Sequence, residues 1–432
     1  MFYLLYNGLS LVLLVPLIIF TIFRSLRLHW PLALPARFGF IPATELAKLA
    51  NRRVILLHAV SVGEVIAARP LIAALRARYP GHALVVSSGT DTGRQMAAAL
   101  AEVDLCIYFP FDFLPSIHYI LNLLKPSIVI IMETEIWPNF SRETSRRGIP
   151  LVMANGRISE RSLPRYLKFS WFFREALQNF SLLCMQSEVA MERIIAIGAA
   201  AERVVVCGNL KYDIPFHKVS SAEKSAFRKS CNIPDDCLVI TAGSTHGGEE
   251  EILLKVYLEM QADSTNLFLV LAPRHPQRTA EVADILQKYA VPFCRFTELQ
   301  PDSSAKFKTG EVLLVDTVGE LMNLYGLADV VFVGGSLVPT GGHNLLEPAS
   351  LGIPTLFGTF MSNFKEITAL VLESRAGIQV ETTAELVAVL RRLIADPEER
   401  RDLGENGLNM IKVNGGATVR YIEAIANQLL NR

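Results

Sequence analysis

The chain has 432 residues, enough for two or three domains at about 150 residues each. Lys+Arg and Asp+Glu both number 42, which excludes a uniformly basic polyanion binder, and 51% apolar with 19% charged residues excludes a disordered chain. The six cysteines (106, 184, 207, 231, 237 and 294) form no C-x-x-C pair, so they read as small core residues of a reducing compartment rather than a disulfide framework or a zinc site.

The first element is a membrane segment. Phe2 to Phe23 carries no charge and is long enough to cross a hydrocarbon core of about 30 Å as a helix. Pro16 bends it without forbidding it. No basic stretch precedes the apolar run and no A-x-A site follows, so a cleaved signal peptide fits poorly. Arg24, Arg27 and Arg37 come after it, which predicts that the body of the protein stays on the cytoplasmic side. A monotopic helix lying in one leaflet is the competing reading of residues 1–28. Trp30, Pro31, Phe38 and Phe40 suit the headgroup level. Residues 1–212 hold 22 Lys+Arg against 14 Asp+Glu, a basic half that suits an anionic partner or membrane.

Short β-branched runs then alternate with helical stretches. Strands are predicted at 54–59, 82–88, 105–109, 127–132, 150–155, 182–186 and 204–208, and a helical stretch ends at 70–79. Residues 214–220 read as a linker. A second set of strands is predicted at 237–244, 267–273, 312–316, 329–335 and 353–358, with a helix at 249–261. This pattern means right-handed βαβ units and two parallel sheets. The expected fold is α/β, two Rossmann-like domains facing a cleft, with ligands at the carboxyl ends of the strands.

Acids stand at two strand ends of the first half. Glu64 follows the first strand in SVGE; Glu133 and Glu135 follow a strand of Ile, Val and Met. Each either caps a helix or pairs with Arg, or is held buried with a raised pKa and used as a base. Thr90 to Met96 opens another helix from a polar turn. Lys211, in GNLKYD, is a cation near the expected domain boundary.

In the second half AGSTHGGEEE opens a helix, so Ser244, Thr245 and free N–H groups predict an anion cradle. It has neither P-loop nor G-x-G-x-x-G spacing. Arg274 and His275 end a strand, as does DTVGEL. In GGHNLLEP, Asn344 and Glu347 lie three apart at a helix start, and a Glu there can hold ribose hydroxyls. No Asp-x-Asp pair occurs, so a leaving phosphate is expected to be balanced by Lys, Arg and helix N-termini, without a metal cofactor.

Taken together, SVGE, METEIWPN, GNLKYD, APRH, DTVGEL and GGHNLLEP resemble, in order and spacing, the bacterial 3-deoxy-D-manno-octulosonic acid (Kdo) transferases that build lipid A. The resemblance implies a GT-B fold. It implies transfer of Kdo from CMP-Kdo to a lipid A precursor, with inversion, at the inner membrane in lipopolysaccharide synthesis. It assigns Glu64 as general base and Glu133 and Lys211 to transition-state stabilisation. It assigns Arg274, His275, Val318, Gly319, Glu320 and the run Asn344, Leu345, Leu346, Glu347 to the CMP-Kdo site. The domains expected are an anchor at 1–28, an acceptor domain at 29–215 and a CMP-sugar domain at 216–432. One departure is Thr359 where the family often has Pro, with Asn363-Phe364 retained, which leaves that loop's shape open. The alternatives are another membrane-associated GT-B enzyme using a UDP-sugar, or an inactive nucleotide-sugar binder.

Overall fold

The computed structural model describes residues 2–28, 33–49, 52–262, 266–299, 307 and 310–430; Trp30 and Pro31 lie outside them. The chain divides into two compact units, Met1–Asp213 with Asn414–Arg432, and Ile214–Val413.

The first unit is built on seven strands: β1 (Val54–His58), β2 (Ala83–Ser88), β3 (Leu105–Tyr108), β4 (Pro126–Met132), β5 (Leu151–Gly156), β6 (Leu182–Met185) and β7 (Val204–Val206). They form one sheet in the order β3-β2-β1-β4-β5-β6-β7, every pair parallel. The apolar runs are continuous because both faces are covered. Leu56, Val85, Val129 and Met153 enter one core and Leu57, Val86, Ile130 and Val152 the other. Chain direction across the sheet reverses between β1 and β4, so a crevice opens at their carboxyl ends.

The second unit repeats the plan with β8 (Leu238–Thr245), β9 (Leu267–Pro273), β10 (Phe293–Arg295), β11 (Val312–Leu314), β12 (Val330–Val333), β13 (Thr355–Phe357) and β14 (Gly377–Gln379). Their order is β10-β11-β9-β8-β12-β13-β14, again all parallel. All the predicted strands are present. The two that the pattern did not reveal, β10 and β14, are edge strands whose three residues, Phe-Cys-Arg and Gly-Ile-Gln, break the apolar run with Arg, Gly and Gln.

The expected C-terminal domain of 216–432 needs correction at its end. The helix Ala417–Leu430 packs on the first unit, where Tyr421 and Ile425 are fully buried against Cys184, Cys207 and Leu210. The Asn155 N–H donates to Tyr421 Oη at 2.9 Å, and Arg420 Nε donates to the Cys207 carbonyl at 2.7 Å. The chain thus returns to the first unit to cover a face that its own helices leave open.

At the other end of the chain, Phe2–Leu28 is one helix, long and apolar enough to cross a membrane.

Candidate active site

In the first unit the crevice between β1 and β4 is lined by acids. Ser61 caps the helix Val62–Arg78, its hydroxyl accepting from the Glu64 N–H at 3.4 Å. Glu64 Oε2 reaches back to accept the Val60 N–H at 2.8 Å. The Ser61 cap and the bond to the residue before it hold Glu64 at the helix start, a variant of the S-x-x-E box that fixes the position of the carboxyl group. Glu64 is half-buried, and burial pushes its pKa up to about 7. The Val60 N–H opposes that shift; the negative fields of Glu133 and Glu135 add to it. A carboxyl poised there is half ionised at neutral pH and able to accept a proton.

Glu133 follows β4 in the left-handed region, φ +54°, which a residue with a Cβ adopts uncommonly and keeps when its surroundings hold it. Its N–H donates to the Ala154 carbonyl at 2.7 Å, which locks that turn. The carboxylate lies 3.3 Å from Arg157 Nε and 3.9 Å from Lys211 Nζ. Lys211 is brought there by Asn155. The Asn155 side chain accepts the Leu210 N–H at 3.0 Å, and Asn209 accepts the Lys211 N–H at 3.0 Å. Glu135 is raised by burial and by Glu133. The structure therefore brings Glu64, Glu133, Glu135 and Lys211 into one electrostatic cluster, and adds Arg157. Sequence reasoning missed Arg157; its signal was a cation one residue past the end of β5, next to β4. Both alternatives expected of the acids, a helix cap and an Arg pair, are realised as well.

In the second unit β8, β9, β11 and β12 direct their carboxyl ends to one side. Arg274 and His275 follow β9 and are exposed. His343 stacks on His246 at 5.1 Å, with Nε2 atoms 2.8 Å apart, and the His275 ring is 5.9 Å from His246. Burial and the neighbouring cations lower the His343 pKa to about 4, so it is neutral at pH 7. Glu347 is raised by burial, while the Asn344 amide, 3.4 Å from it, and the field of Arg274 pull the other way. Val318 and Gly319 form an exposed turn, and Glu320 accepts from Asn323 at 3.1 Å. His246, His275, His343, Arg274 and Glu347 lie near one another, and His246 and His343 are members that sequence reasoning did not single out.

Three expectations are corrected. Thr245 is fully buried and its hydroxyl donates to Glu250 at 2.9 Å, so it presents nothing to a ligand; Ser244, at φ +56°, is buried as well. The side chains of Leu345 and Leu346 are core residues. The predicted cradle at this helix start gives way to a nest after β12. Glu249 accepts the N–H groups of Gly335, Ser336, Leu337 and His246 at 2.6, 2.9, 2.8 and 2.9 Å. Gly334 is required in this nest, because a Cβ there would meet the Ser244 carbonyl oxygen at 2.5 Å.

The loop left open by Thr359 is tied down. The Phe360 N–H donates to Ser336 at 2.9 Å and the Asn363 N–H to Gly341 at 3.0 Å. A cavity of about 440 Å³ beside it is lined by Gly341, Phe360, Met361, Lys365 and Thr368.

Residues 33–214 match the family model described as 3-deoxy-D-manno-octulosonic-acid transferase (kdotransferase). The 3-deoxy-D-manno-octulosonic acid transferase of Haemophilus influenzae is 36% identical over 86% of this chain and 86% of its own. The chain belongs to the Kdo transferase family. The Bordetella pertussis member of that name is 30% identical over 93% of both chains. Among solved structures, a UDP-GlcNAc 2-epimerase from Neisseria meningitidis aligns with TM-score 0.55 over 87% of this chain and 100% of its own, at 16% identity. That likeness shows the GT-B fold alone. As a Kdo transferase the chain is a glycosyltransferase enzyme.

Proposed function

We propose that this Kdo transferase takes Kdo from CMP-Kdo and delivers it to a hydroxyl of a lipid A precursor, with inversion, in lipopolysaccharide synthesis at the inner membrane. The observation that carries the reading is the cluster at β1 and β4: a half-buried Glu64 with its pKa near 7, beside Glu133 and Lys211. Glu64 takes the proton from the acceptor hydroxyl as the oxygen attacks the anomeric carbon from the face opposite CMP. The bond to the CMP phosphate breaks as the new bond forms, and the proton leaves with Glu64. Lys211, held by Glu133, offsets negative charge that develops there.

Arg274 and His275, the Val318-Gly319-Glu320 turn and Glu347 are the CMP contacts in this reading, with Asn344 orienting Glu347 and neutral His343 donating or accepting at the nucleotide. Leu345 and Leu346 contribute backbone only. Charge is balanced by these cations and by backbone N–H groups, without a metal. The basic N-terminal unit suits the phosphates of the acceptor and the cytoplasmic membrane face.

The test is product mass analysis. The purified chain is incubated with CMP-Kdo and a tetra-acylated lipid A bisphosphate precursor in EDTA, beside Glu64→Ala. A gain of Kdo mass, absent in the variant, is expected. No gain from a folded, CMP-binding protein would overturn the acceptor, and a gain abolished by EDTA would overturn the metal-independent reading.

A further inference from the structure

The N-terminal helix is fastened to the first unit at the end that a spanning helix would send across the bilayer. Tyr6 Oη donates to Asp112 at 2.7 Å. The Asn139 amide donates to Asn7 Oδ1 at 2.7 Å, and the Asn179 amide donates to Tyr3 Oη at 3.0 Å. The Arg142 guanidinium lies 4.0 Å from the Tyr3 ring, and Phe2 packs edge-on against Trp171 and Phe172 at 6.1 and 5.1 Å. Two of the partners are tied into the sheet unit: Asn139 is fully buried, and Asp112 also accepts the N–H groups of Asn139 and Phe140, at 3.0 and 2.8 Å. The other end of the helix is joined by four residues to Ala33 and thence to Arg37, whose guanidinium donates to the Gly89 carbonyl at 3.2 Å. The N-terminal end is therefore held by the same unit that the chain enters after the helix.

A helix of 27 residues is about 40 Å long and would cross a core of about 30 Å only by carrying one end to the far side. The residue pattern agrees with a helix lying flat. Its half-buried positions are 2, 3, 6, 7, 10, 14, 18, 21 and 25, one stripe at helical spacing. Tyr3, Tyr6, Asn7, Ser10, Thr21 and Ser25 all fall on it. The rest of the circumference is apolar and open, with Leu4, Val12 and Leu26 among its most exposed residues. That surface continues onto the neighbouring helices through exposed Trp171, Phe169 and Leu167, with Lys168 beside Phe169. An aromatic and cationic margin around an apolar face matches the headgroup boundary of a bilayer.

We infer that the helix Phe2–Leu28 does not span the membrane: it lies in one leaflet, with its N-terminus on the same side as the catalytic units, and presses its apolar face into the acyl chains of an anionic lipid monolayer. This rests on the membrane association proposed above.

The full chain carries one epitope tag at its N-terminus and another at its C-terminus, and is probed by protease in inner-membrane vesicles of both orientations. The expected result is that both tags are cleaved in the same vesicles. Cleavage of the two in opposite orientations would overturn the inference while leaving membrane association intact. Recovery of the whole protein in the soluble fraction would instead overturn the membrane reading, and the inference with it. A second measurement does not depend on tags. Asn7→Cys with Asn139→Cys, treated in membranes with a short bis-maleimide, should give one joined peptide that neither single variant gives. Its absence, with both cysteines labelled by a mono-maleimide, overturns the docking.

Discussion

Each unit gathers acids at the carboxyl ends of its central strands, and the two sets are used in opposite ways. Glu249 and Glu250 of the second unit are completely buried, and their oxygens are occupied by backbone N–H groups, Thr245 and Arg278. Glu64, Glu133 and Glu135 of the first unit face one another with fewer donors than lone pairs. An acid with all its partners supplied by the fold holds loops in place. The charges of Glu133 and Glu135 add to the raised pKa of Glu64, which leaves Glu64 available for proton transfer. Both units also turn the chain through the left-handed region at this point, at Glu133 and at Ser244. Only in the first does the strained residue carry the charge.

The sharpest way to separate the two sets is to neutralise one acid in each. Glu64→Gln keeps the cap acceptor and should lower kcat by about 10²- to 10⁴-fold with circular dichroism and CMP affinity unchanged. If it turns over near the parent rate, the first set is structural too. Glu249→Ala removes the acceptor of four N–H groups and should cost about 4 kcal/mol, read as a Tm lower by about 10 °C. A Glu249→Ala protein of unchanged Tm that no longer binds CMP would place Glu249 at the ligand and erase the contrast. Lys211→Met and Arg157→Met come next, each expected to lower kcat about 10- to 100-fold with Tm held within a few degrees. The loss should be larger for Lys211 if it faces the leaving phosphate and Arg157 only steadies Glu133.

How much of this was legible in the sequence follows the same division. Twelve of the fourteen strands, a domain boundary within three residues of the one at 213–214 and the acids at the strand ends were readable, because apolar runs and S-x-x-E are local patterns. Arg157 was not, since its pairing with Glu133 depends on β5 lying beside β4. The role of Glu249 went unread for the same reason. As a sequence, GSTHGGEEE is a Gly-rich loop before a helix; its acid finds the nest at 335–337 only when β8 pairs with β12. The return of Tyr421 to the first unit lies more than 200 residues from its partners on β5 and β7, beyond any local signal.

The pH dependence gives the finest discrimination. With Glu64 as base, kcat/KM should rise with pH along a limb centred near 7, as the carboxyl loses its proton. Burial is the larger cause of that position, so Glu133→Gln, which removes a repelling charge, should move the limb down by less than one unit. Stability carries the mirror image. The folded pKa of about 7 lies above the ordinary 4.5, so the native state binds more protons than the unfolded chain between those values. Stability from this group is therefore fully present below 4.5 and is lost as pH rises through 7. Glu64→Gln cannot lose it. Allowing for solvent screening of a half-buried group, the variant should be more stable than the parent by about 1 kcal/mol at pH 8 and equal to it near pH 4.5. Chemical denaturation at the two pH values checks this. A variant less stable at pH 8 would mean that the cap needs the charge, and that Glu64 resembles Glu249 more than the comparison allows.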